Sequence, residues 1–485
     1  MLKSIWLDTI TKKNYERLEK NIKTQILVIG GGISGISCAY ELSNYYNDIV
    51  LVTMNEFYSG TTGFTTAKVT YQHDDIYHRL LNSYNEEVAT NYYEFNKMGL
   101  ERIKEIVNLE KVDCEFNEVD SYLFNYHNEE DIINDEYNAY QKLGIPGELT
   151  KFEEFDTLAL KVSNQANFHP LKYLETLLSK LQEKGVKIYE QTKITSVIGI
   201  TIITEDDYKI NADKIIIATN YPIYPNVNLH FTKLIPSKSY VVVGKPKKDI
   251  KEGNYINPTE PVLSLRHYRD LLFVSGMSHD TKEMKDENTE LNKLTDIGKE
   301  RFEIEDFEFA WSTRDFKSVD MVPFIGKVAS NIFLLTGYAK WGMTNSVAGS
   351  LLIKDLIIGN DSKFIETFDP LRNVMTKDFF KYNAGMVSTI IKSKKGFEKF
   401  EDLEQTEGKI FKFRNKRYGV YKDEENTLFV VKATCTHLGC GLTYNKVNRT
   451  YDCPCHGSKF NYDGTVLAGP AKKDLEKVKI KNDQK

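Results

Sequence analysis

Two short segments near the C-terminus of this 485-residue chain carry cysteine and histidine at spacings that suit a metal centre. One reads CTHLGC from Cys435, and the other reads CPCHGS from Cys453. Together they supply one Cys-x-His pair and one Cys-x-x-His pair, which suits a [2Fe–2S] cluster with one iron held by thiolates and the other by imidazoles. Because neutral imidazoles reduce the negative charge on the cluster, we expect a one-electron carrier with a reduction potential of about −150 to +300 mV.

A structural zinc site is the alternative, since two Cys and two His also suit tetrahedral Zn²⁺. Two features favour the cluster. Each pair mixes Cys with His, whereas each pair of a zinc finger usually holds one type of ligand. Cys440 and Cys455 also lie just after or within the two pairs, and they could bridge the two segments if their Cα atoms come within about 4.4–6.8 Å.

The pattern resembles the Rieske family, in the disulfide-containing form typical of cytochrome bc complexes. By that resemblance the cluster ligands are Cys435, His437, Cys453 and His456, and a disulfide joins Cys440 to Cys455. Ser458 matches a family serine whose hydroxyl bonds to a cluster sulfide, and Gly469-Pro470-Ala471 resembles the loop that covers the cluster. High-potential members have Tyr where this chain has Phe460, so we expect a lower potential than theirs.

Composition places the chain among ordinary globular proteins of two to four domains, with 41% hydrophobic and 27% charged residues. A net charge of −5 argues against a nucleic-acid partner. Four of the six cysteines lie in the two C-terminal segments, so this is not a secreted disulfide framework. We read no signal peptide and no run of 18 apolar residues, and we therefore expect no membrane span and a cytoplasmic protein.

The N-terminal region has the pattern of a dinucleotide-binding βαβ unit. Residues 25–29 read as a buried strand, the motif Gly30-x-Gly32-x-x-Gly35 follows, residues 36–43 have helical spacing, and residues 48–52 form a second strand. The glycines allow a tight turn, a close approach of backbone to pyrophosphate, and close packing of helix on strand. The loop alone leaves FAD and NAD both open.

Further segments of the sequence favour FAD over NAD, through their resemblance to a known family. Residues 60–68, 168–171, 218–220, 311–312, 320–326 and 337–344 together resemble the D-amino-acid oxidase/glycine oxidase family of FAD-dependent oxidoreductases. With the C-terminal segment added, the chain resembles the Rieske-containing FAD oxidoreductases. The implied fold is an α/β Rossmann-like FAD-binding domain with an inserted α+β substrate domain, followed by an all-β Rieske domain. We expect these in residues 1–380 and 401–485, with a linker at 381–400.

The pattern also predicts individual elements. Strands are expected at 186–188, 200–203, 214–218, 331–335, 409–413, 417–421 and 428–431, and helices at 171–184 and 346–358. Asn415-Lys416 is a hairpin-turn signal. The charged stretch 128–136 reads as a solvated helix face.

The resemblance to the oxidase family also implies where FAD binds. The ADP pyrophosphate would lie against Gly30, Gly31, Gly32, Ser34 and Gly35; the flavin would lie along Thr61, Thr62, Thr66 and Ala67, with Gly337, Gly342, Met343 and Thr344 over the ring near its pyrimidine edge. The family usually ends its second strand with an acidic residue that binds the ribose. Thr53 aligns there, and Asn55 and Glu56 are the candidates to replace the acidic residue.

These parts imply an FAD-dependent oxidoreductase that takes hydride from an amine or amino acid and passes single electrons through the cluster to an external protein or quinone. Candidates for gripping a substrate carboxylate are Arg266, Arg314, Tyr240 and Lys340, and His73 and His279 could also line the site. Two alternatives remain. In the first, electrons flow in reverse: an outside donor reduces the cluster, and the flavin then reduces a substrate. In the second, the protein is a non-enzymatic electron-transfer protein.

Overall fold

The computed structural model describes residues 3–127, 129–223, 230–248, 250–394, 403–414 and 416–478. The helices are α1 (Ile5–Asp8), α2 (Ile33–Leu42), α3 (Ile76–Ser83), α4 (Glu86–Leu109), α5 (Asp131–Leu143), α6 (Pro170–Glu183), α7 (His230–Lys233), α8 (Glu287–Phe302), α9 (Gly342–Ile358), α10 (Ile365–Phe368) and α11 (Lys377–Ser393). Within these described ranges, no helix combines the length and the apolar character needed to cross a bilayer.

The strands form four sheets. The first two sheets are built from β1 (Ile22–Ile29), β2 (Ile49–Val52), β3 (Lys68–Val69), β4 (Asn117–Phe124), β5 (Glu148–Phe152), β6 (Thr157–Asn167), β7 (Lys187–Tyr189), β8 (Ile194–Ile198), β9 (Thr201–Thr204), β10 (Lys209–Ile217), β11 (Leu234–Gly244), β12 (Asn254–Asn257), β13 (Leu263–Tyr268), β14 (Leu271–Asp280), β15 (Phe307–Ser318), β16 (Phe324–Ala329) and β17 (Ile332–Thr336). The last two use β18 (Gly408–Phe413), β19 (Lys416–Lys422), β20 (Leu428–Lys432), β21 (Thr443–Asn445), β22 (Thr450–Asp452), β23 (Lys459–Asn461) and β24 (Val466–Ala468).

The first sheet carries the dinucleotide-binding turn. Its order is β16-β17-β10-β1-β2-β7, with the hairpin of β8 and β9 attached to β10. Strand β1 pairs in parallel with β10 and β2, and its residues Ile26 to Ile29 are all buried, as expected for a parallel strand covered on both faces. The predicted strand–turn–helix–strand unit is confirmed, although α2 begins three residues earlier than predicted, at Ile33.

The second sheet is the predicted inserted α+β region. It has the order β15-β11-β14-β13-β12-β4-β6-β3, with β5 added to β6. All its pairs are antiparallel except β12 with β4. Strand β15 therefore forms one edge of this sheet, and it contributes Arg314 to the site described below.

The C-terminal region contains two antiparallel sheets, β18-β19-β20 and β21-β22-β23-β24. This agrees with the expected all-β domain. Its predicted hairpin turn is described only at Lys416, which begins β19, since Asn415 lies outside the described residues. The exact boundaries at 380 and 400 stay predictions.

The predicted linker is largely helical. Residues 381–393 belong to α11, and 395–400 lie outside the described residues. Tyr382 and Met386 are buried, and Ile390 packs on the same core cluster. These apolar positions recur every four residues, which is the spacing of a helix face, and the linker interpretation overlooked it.

The charged stretch 128–136, which includes the first six residues of α5, is less solvated than predicted. Asn128 lies outside the described residues, but Glu136 is fully buried. Its carboxylate accepts the backbone N–H groups of Tyr77 and His78, which lie in the first turn of α3 and have no partner inside that helix. Burial raises the pKa of Glu136 to about 8. Its role is therefore structural.

Candidate active site and metal centre

The glycine-rich turn after β1 brings backbone unusually close together. Gly30 has φ 136°, and an added Cβ there would lie 2.2 Å from the carbonyl oxygen of Ala218. A Cβ at Gly35 would lie 1.9 Å from the carbonyl oxygen of Gly30. Only glycine fits these approaches, which set the N-terminus of α2 against the turn. Helix N-termini present unpaired N–H groups and bind phosphate well.

A cavity of about 940 Å³ begins at this turn. The predicted cofactor residues that line it are Gly30, Gly31, Gly32, Ser34, Thr61, Thr62, Gly342 and Met343. Ligand pockets for small molecules and cofactors span about 300–1,000 Å³, so the space suits a dinucleotide. The residues present therefore fit FAD.

Five other predicted residues support this cavity without lining it, namely Gly35, Thr66, Ala67, Gly337 and Thr344. Thr344 donates its hydroxyl to Oδ1 of Asn96 at 2.8 Å and is buried. The carbonyl groups of Thr66 and Ala67 accept hydrogen bonds from Arg266. The sequence pattern could not tell which side of each segment faces the cavity, and the contacts of these residues with FAD stay predictions.

The cavity also contains the three residues considered for the ribose. Thr53, Asn55 and Glu56 all line it, just after β2. The carboxylate of Glu56 forms an ion pair of 2.9 Å with Lys12. An acidic group is thus present three residues beyond the usual position, and its contact with ribose stays a prediction.

Arg266 is not available to grip a substrate. It is 1% exposed and does not line the cavity. Its Nη1 donates to the carbonyl oxygens of Thr66 at 2.6 Å and Ala67 at 3.0 Å, and its Nε donates to that of His267 at 3.0 Å. The prediction of a carboxylate-binding role for Arg266 was wrong, because the backbone of the flavin segment already occupies its guanidinium.

Tyr240 is also buried away from the cavity, and it forms a hydrogen bond with His279 instead. Its hydroxyl lies 3.0 Å from Nε2 of His279, which does line the cavity. Nδ1 of His279 lies 3.0 Å from the carbonyl oxygen of Asp280, which can only accept, so Nδ1 carries the proton and the Tyr240 hydroxyl donates to Nε2. Burial lowers the pKa of His279, which favours this neutral form.

His73 is a structural histidine. Its ring stacks on Trp341 at 4.4 Å, and its two nitrogens lie 2.8 Å from the Tyr92 hydroxyl and 2.7 Å from the Thr70 carbonyl. It does not line the cavity. Burial lowers its pKa to about 3.

Arg314 and Lys340 do line the cavity. Among the described residues, neither side chain has a hydrogen-bond or ion-pair partner, although the Arg314 guanidinium lies over the Phe316 ring at 5.4 Å. Burial lowers the pKa of Arg314 to about 10 and that of Lys340 to about 8. Two cations therefore face the cavity with their hydrogen-bond donors unused.

The four predicted cluster ligands come together at one end of the C-terminal domain. Cys435 and Cys453 are buried, and the thiol of Cys453 donates a hydrogen bond that lowers the pKa of Cys435. The rings of His437 and His456 lie 5.0 Å apart, and burial lowers the pKa of His456 to about 4. Two thiols beside two imidazoles that stay neutral at pH 7 form the donor set that a Rieske cluster requires.

The disulfide is present as predicted. Cys440 and Cys455 are bonded, with Cα atoms 6.5 Å apart. It ties together the two segments that carry the ligands. Ser458 is fully buried, accepts the backbone N–H of Ala471 at 3.0 Å, and bonds to Cys435 through its side chain. The segment 469–471 thus lies against the ligand segments, as the resemblance implied.

The C-terminal domain forms one wall of the flavin cavity. Its residues Cys453, Pro454 and Gly457 line that cavity, and an added Cβ at Gly457 would lie 3.0 Å from Cδ of Arg314. The Thr281 hydroxyl donates to the carbonyl oxygen of Pro454 at 3.1 Å. The segment that carries two predicted cluster ligands therefore borders the space predicted for FAD.

A buried carboxylate fastens this contact. Glu287, at the start of α8, accepts from Nζ of Lys238 at 2.6 Å, from Nδ2 of Asn445 at 2.7 Å and from Nδ2 of Asn448 at 3.0 Å. Lys238 belongs to the FAD region, whereas the two asparagines belong to the C-terminal domain. The sequence analysis missed Glu287, because no local motif signals a contact that depends on how two domains pack.

The family profile described as FAD dependent oxidoreductase matches residues 25–356, and the profile described as Rieske [2Fe-2S] domain matches residues 397–479. The chain belongs to the FAD-dependent oxidoreductase family. It carries FAD in the first region and a [2Fe–2S] cluster in the second.

A Bacillus subtilis (strain 168) protein described as the Rieske 2Fe-2S iron-sulfur protein YhfW is 36% identical over 494 residues, which cover 98% of this chain and 97% of that protein. Glycine oxidase from Geobacillus kaustophilus shares the fold with a TM-score of 0.61 at 13% identity, covering 73% of this chain and 99% of that structure. L-amino acid deaminase from Proteus vulgaris has a TM-score of 0.59 at 15% identity, covering 75% of this chain and 100% of that structure.

Proposed function

We propose that this protein is an amine or amino-acid dehydrogenase whose electrons leave through its Rieske domain. One observation carries the proposal: a single cavity is bordered by the dinucleotide-binding turn at Gly30 and by the cluster segment at Cys453. Proteins described as glycine oxidase and L-amino acid deaminase share the fold of the first region, which supports the substrate class.

The chemistry comes from two cofactors: FAD accepts two electrons as hydride, and a Rieske cluster carries one electron at a time. We assign the cluster to Cys435, His437, Cys453 and His456. We assign the pyrophosphate of FAD to the turn Gly30–Ser34 and the flavin to the wall that contains Thr61, Thr62, Gly342 and Met343.

Arg314 binds the substrate carboxylate in this proposal. Its planar guanidinium faces the cavity without a hydrogen-bonding partner among the described residues, and a carboxylate offers the matching pair of oxygens. Thr61 donates its hydroxyl to the backbone carbonyl of Arg314 at 2.8 Å, so the predicted flavin wall and the carboxylate-binding residue are directly connected. This hydrogen bond supports a substrate site beside the proposed flavin wall.

Lys340 supplies a second positive charge that depends on pH. Because burial lowers its pKa to about 8, it is mostly an ammonium ion at pH 7 and mostly neutral above pH 9. Below pH 8 it favours an anionic substrate.

His279 does not serve as a strong base in this site. Its Nε2 already accepts from Tyr240, and its Nδ1 already donates to the carbonyl of Asp280. It therefore contributes a rigid, neutral surface to the cavity. A substrate amine must enter in its neutral form or lose its proton to solvent, which is compatible with direct hydride loss.

The surface near His437 is the proposed docking site for the external electron partner, a protein or a quinone. His437 is partly exposed, and the neighbouring Leu438 is 49% exposed. A partner that contacts this surface would lie beside a cluster ligand. A cytoplasmic location and the absence of a nucleic-acid partner stay predictions.

The test is anaerobic mixing of the purified holoprotein with a panel of amino acids and secondary amines, followed by optical absorption and EPR. Flavin bleaching together with a reduced Rieske signal would support the proposal and identify the substrate class. Flavin reduction only from an outside donor, through the cluster, would favour reversed flow. No reaction with any substrate, in protein that dithionite reduces fully, would contradict the proposed dehydrogenase.

A further inference from the structure

A lysine of the C-terminal domain projects into the flavin cavity. Lys459 lies on β23, two residues after Gly457, whose Cα hydrogen faces Arg314. It lines the cavity together with Arg314. In the part of the chain that the structure describes, Lys459 forms no ion pair and no side-chain hydrogen bond. Burial lowers its pKa, and so does the positive charge of Arg314. Two cations from different domains thus face the same space.

The obvious partner for Lys459 is already engaged. Asp452 is opposite Lys459 in the pairing of β22 with β23, and its charge favours the ammonium form. However, Oδ1 of Asp452 accepts from the Thr450 hydroxyl at 2.8 Å, and Oδ2 accepts from Asn445 at 3.1 Å and lies 3.8 Å from Nζ of Lys238. Asp452 therefore belongs to the interdomain network.

The nearby carboxylates do not pair with Lys459 or Arg314. Glu287 pairs with Lys238 at 2.6 Å, and Asp452 is held by Thr450 and Asn445. Among the described residues, Lys459 and Arg314 therefore lie at the cavity wall without an ion-pair partner, whereas desolvated charges normally have one.

We propose that Lys459 completes an anion-binding site with Arg314, so that the carboxylate of the ligand is held by both domains at once. This inference rests on the proposed function for the choice of a carboxylate, and it adds the Rieske domain to the substrate-binding residues. Arg314 offers a planar pair of donors, and Lys459 offers a point charge from the other domain. The site exists only while the C-terminal domain is docked, so ligand binding and docking favour each other.

The test uses benzoate, an aromatic carboxylate with no amine to oxidise, and benzamide, its neutral counterpart. Each is titrated into oxidised holoprotein, and binding is measured from the change in flavin absorption. We expect Lys459→Gln to weaken benzoate binding at least about tenfold, as for loss of a charge-assisted hydrogen bond, and to leave benzamide binding unchanged. Lys459→Arg should retain most of the affinity. Lys473→Gln, an exposed lysine of the same domain outside the cavity, is the matched control.

Equal benzoate affinity in the wild type and in Lys459→Gln would overturn the inference. The inference would also be overturned if Lys459→Gln lost FAD but bound benzoate normally after reloading with FAD. That result would assign Lys459 to cofactor binding. If the variant loses its cluster, a crystal structure of wild-type holoprotein with benzoate decides, because the carboxylate must lie within hydrogen-bonding distance of Nζ of Lys459. Benzoate binding does not require turnover, so failure of amines to bleach the flavin would refute the proposed function and leave this inference standing.

Discussion

Replacing Glu287 by Ala should loosen the contact between the two domains. The carboxylate is 4% exposed in its side chain, so solvent screens its interactions little. Two of its hydrogen-bonding partners lie across the domain boundary, Asn445 and Asn448, whose Nδ2 groups donate to it. A hydrogen bond to a charged group is worth about 1.5–3 kcal/mol.

The two interdomain hydrogen bonds set the expected loss in the free energy of domain docking. Because they share one carboxylate they are not additive, and we take the lower end of their sum, about 3 kcal/mol. This corresponds to about a hundredfold change in the docking equilibrium. Among the described residues, the variant also leaves Lys238 with Asp452, at 3.8 Å, as its remaining ion-pair partner. Glu287→Gln keeps the shape and one acceptor oxygen but removes the charge, and we expect a smaller effect.

The assay compares two readouts in the holoprotein. The rate of electron transfer from reduced flavin to cluster is followed by stopped-flow absorption, and denaturant unfolding is followed separately at the flavin and cluster bands. In Glu287→Ala we expect slower transfer and a cluster transition at lower denaturant than in the wild type. Glu290→Gln is the control, since Glu290 is equally buried on α8 but, within the described ranges, its carboxylate pairs only with Lys293 of its own helix. Wild-type transfer rates and transitions in Glu287→Ala would refute the reasoning.

Three further predictions follow from the site. His456→Ala should abolish the Rieske EPR signal while bound FAD remains, since one iron loses a ligand; an intact signal would contradict the assignment. Gly30→Ala should lower the flavin content after gel filtration, because its Cβ would lie 2.2 Å from the Ala218 carbonyl oxygen, whereas Gly385→Ala, with only a lysine tip at 3.9 Å, should not. Binding of benzoate should weaken as the pH rises through about 8, because Lys340 loses its charge there, and Lys340→Arg should reduce that dependence; a titration of affinity against pH checks both.

The local patterns predicted much of this molecule. Residue type and spacing were enough to predict the local geometry of three short segments, the turn at Gly30 and the segments at Cys435 and Cys453. In the structure, the turn connects β1 to α2, and the two cysteine segments lie together. The helix at 381–393 was missed although Tyr382 and Met386 gave a local signal. Arg266 was misjudged for a different reason. Sequence shows a guanidinium, but only the fold shows that the carbonyl groups of Thr66 and Ala67 already occupy it.

The residues that connect the two halves of the protein could not have been found by motif. Glu287 is near one cluster segment only because α8 packs beneath the second sheet and meets β21 of the other domain. Lys459 and Arg314 line the same cavity, and Gly457 allows the close approach of their segments because an added Cβ there would lie 3.0 Å from Cδ of Arg314. Both facts depend on a packing that neither domain specifies alone. This packing sets the space predicted for the flavin beside the cluster segment. The residues of the domain interface, rather than either motif, therefore decide whether electrons pass between flavin and cluster.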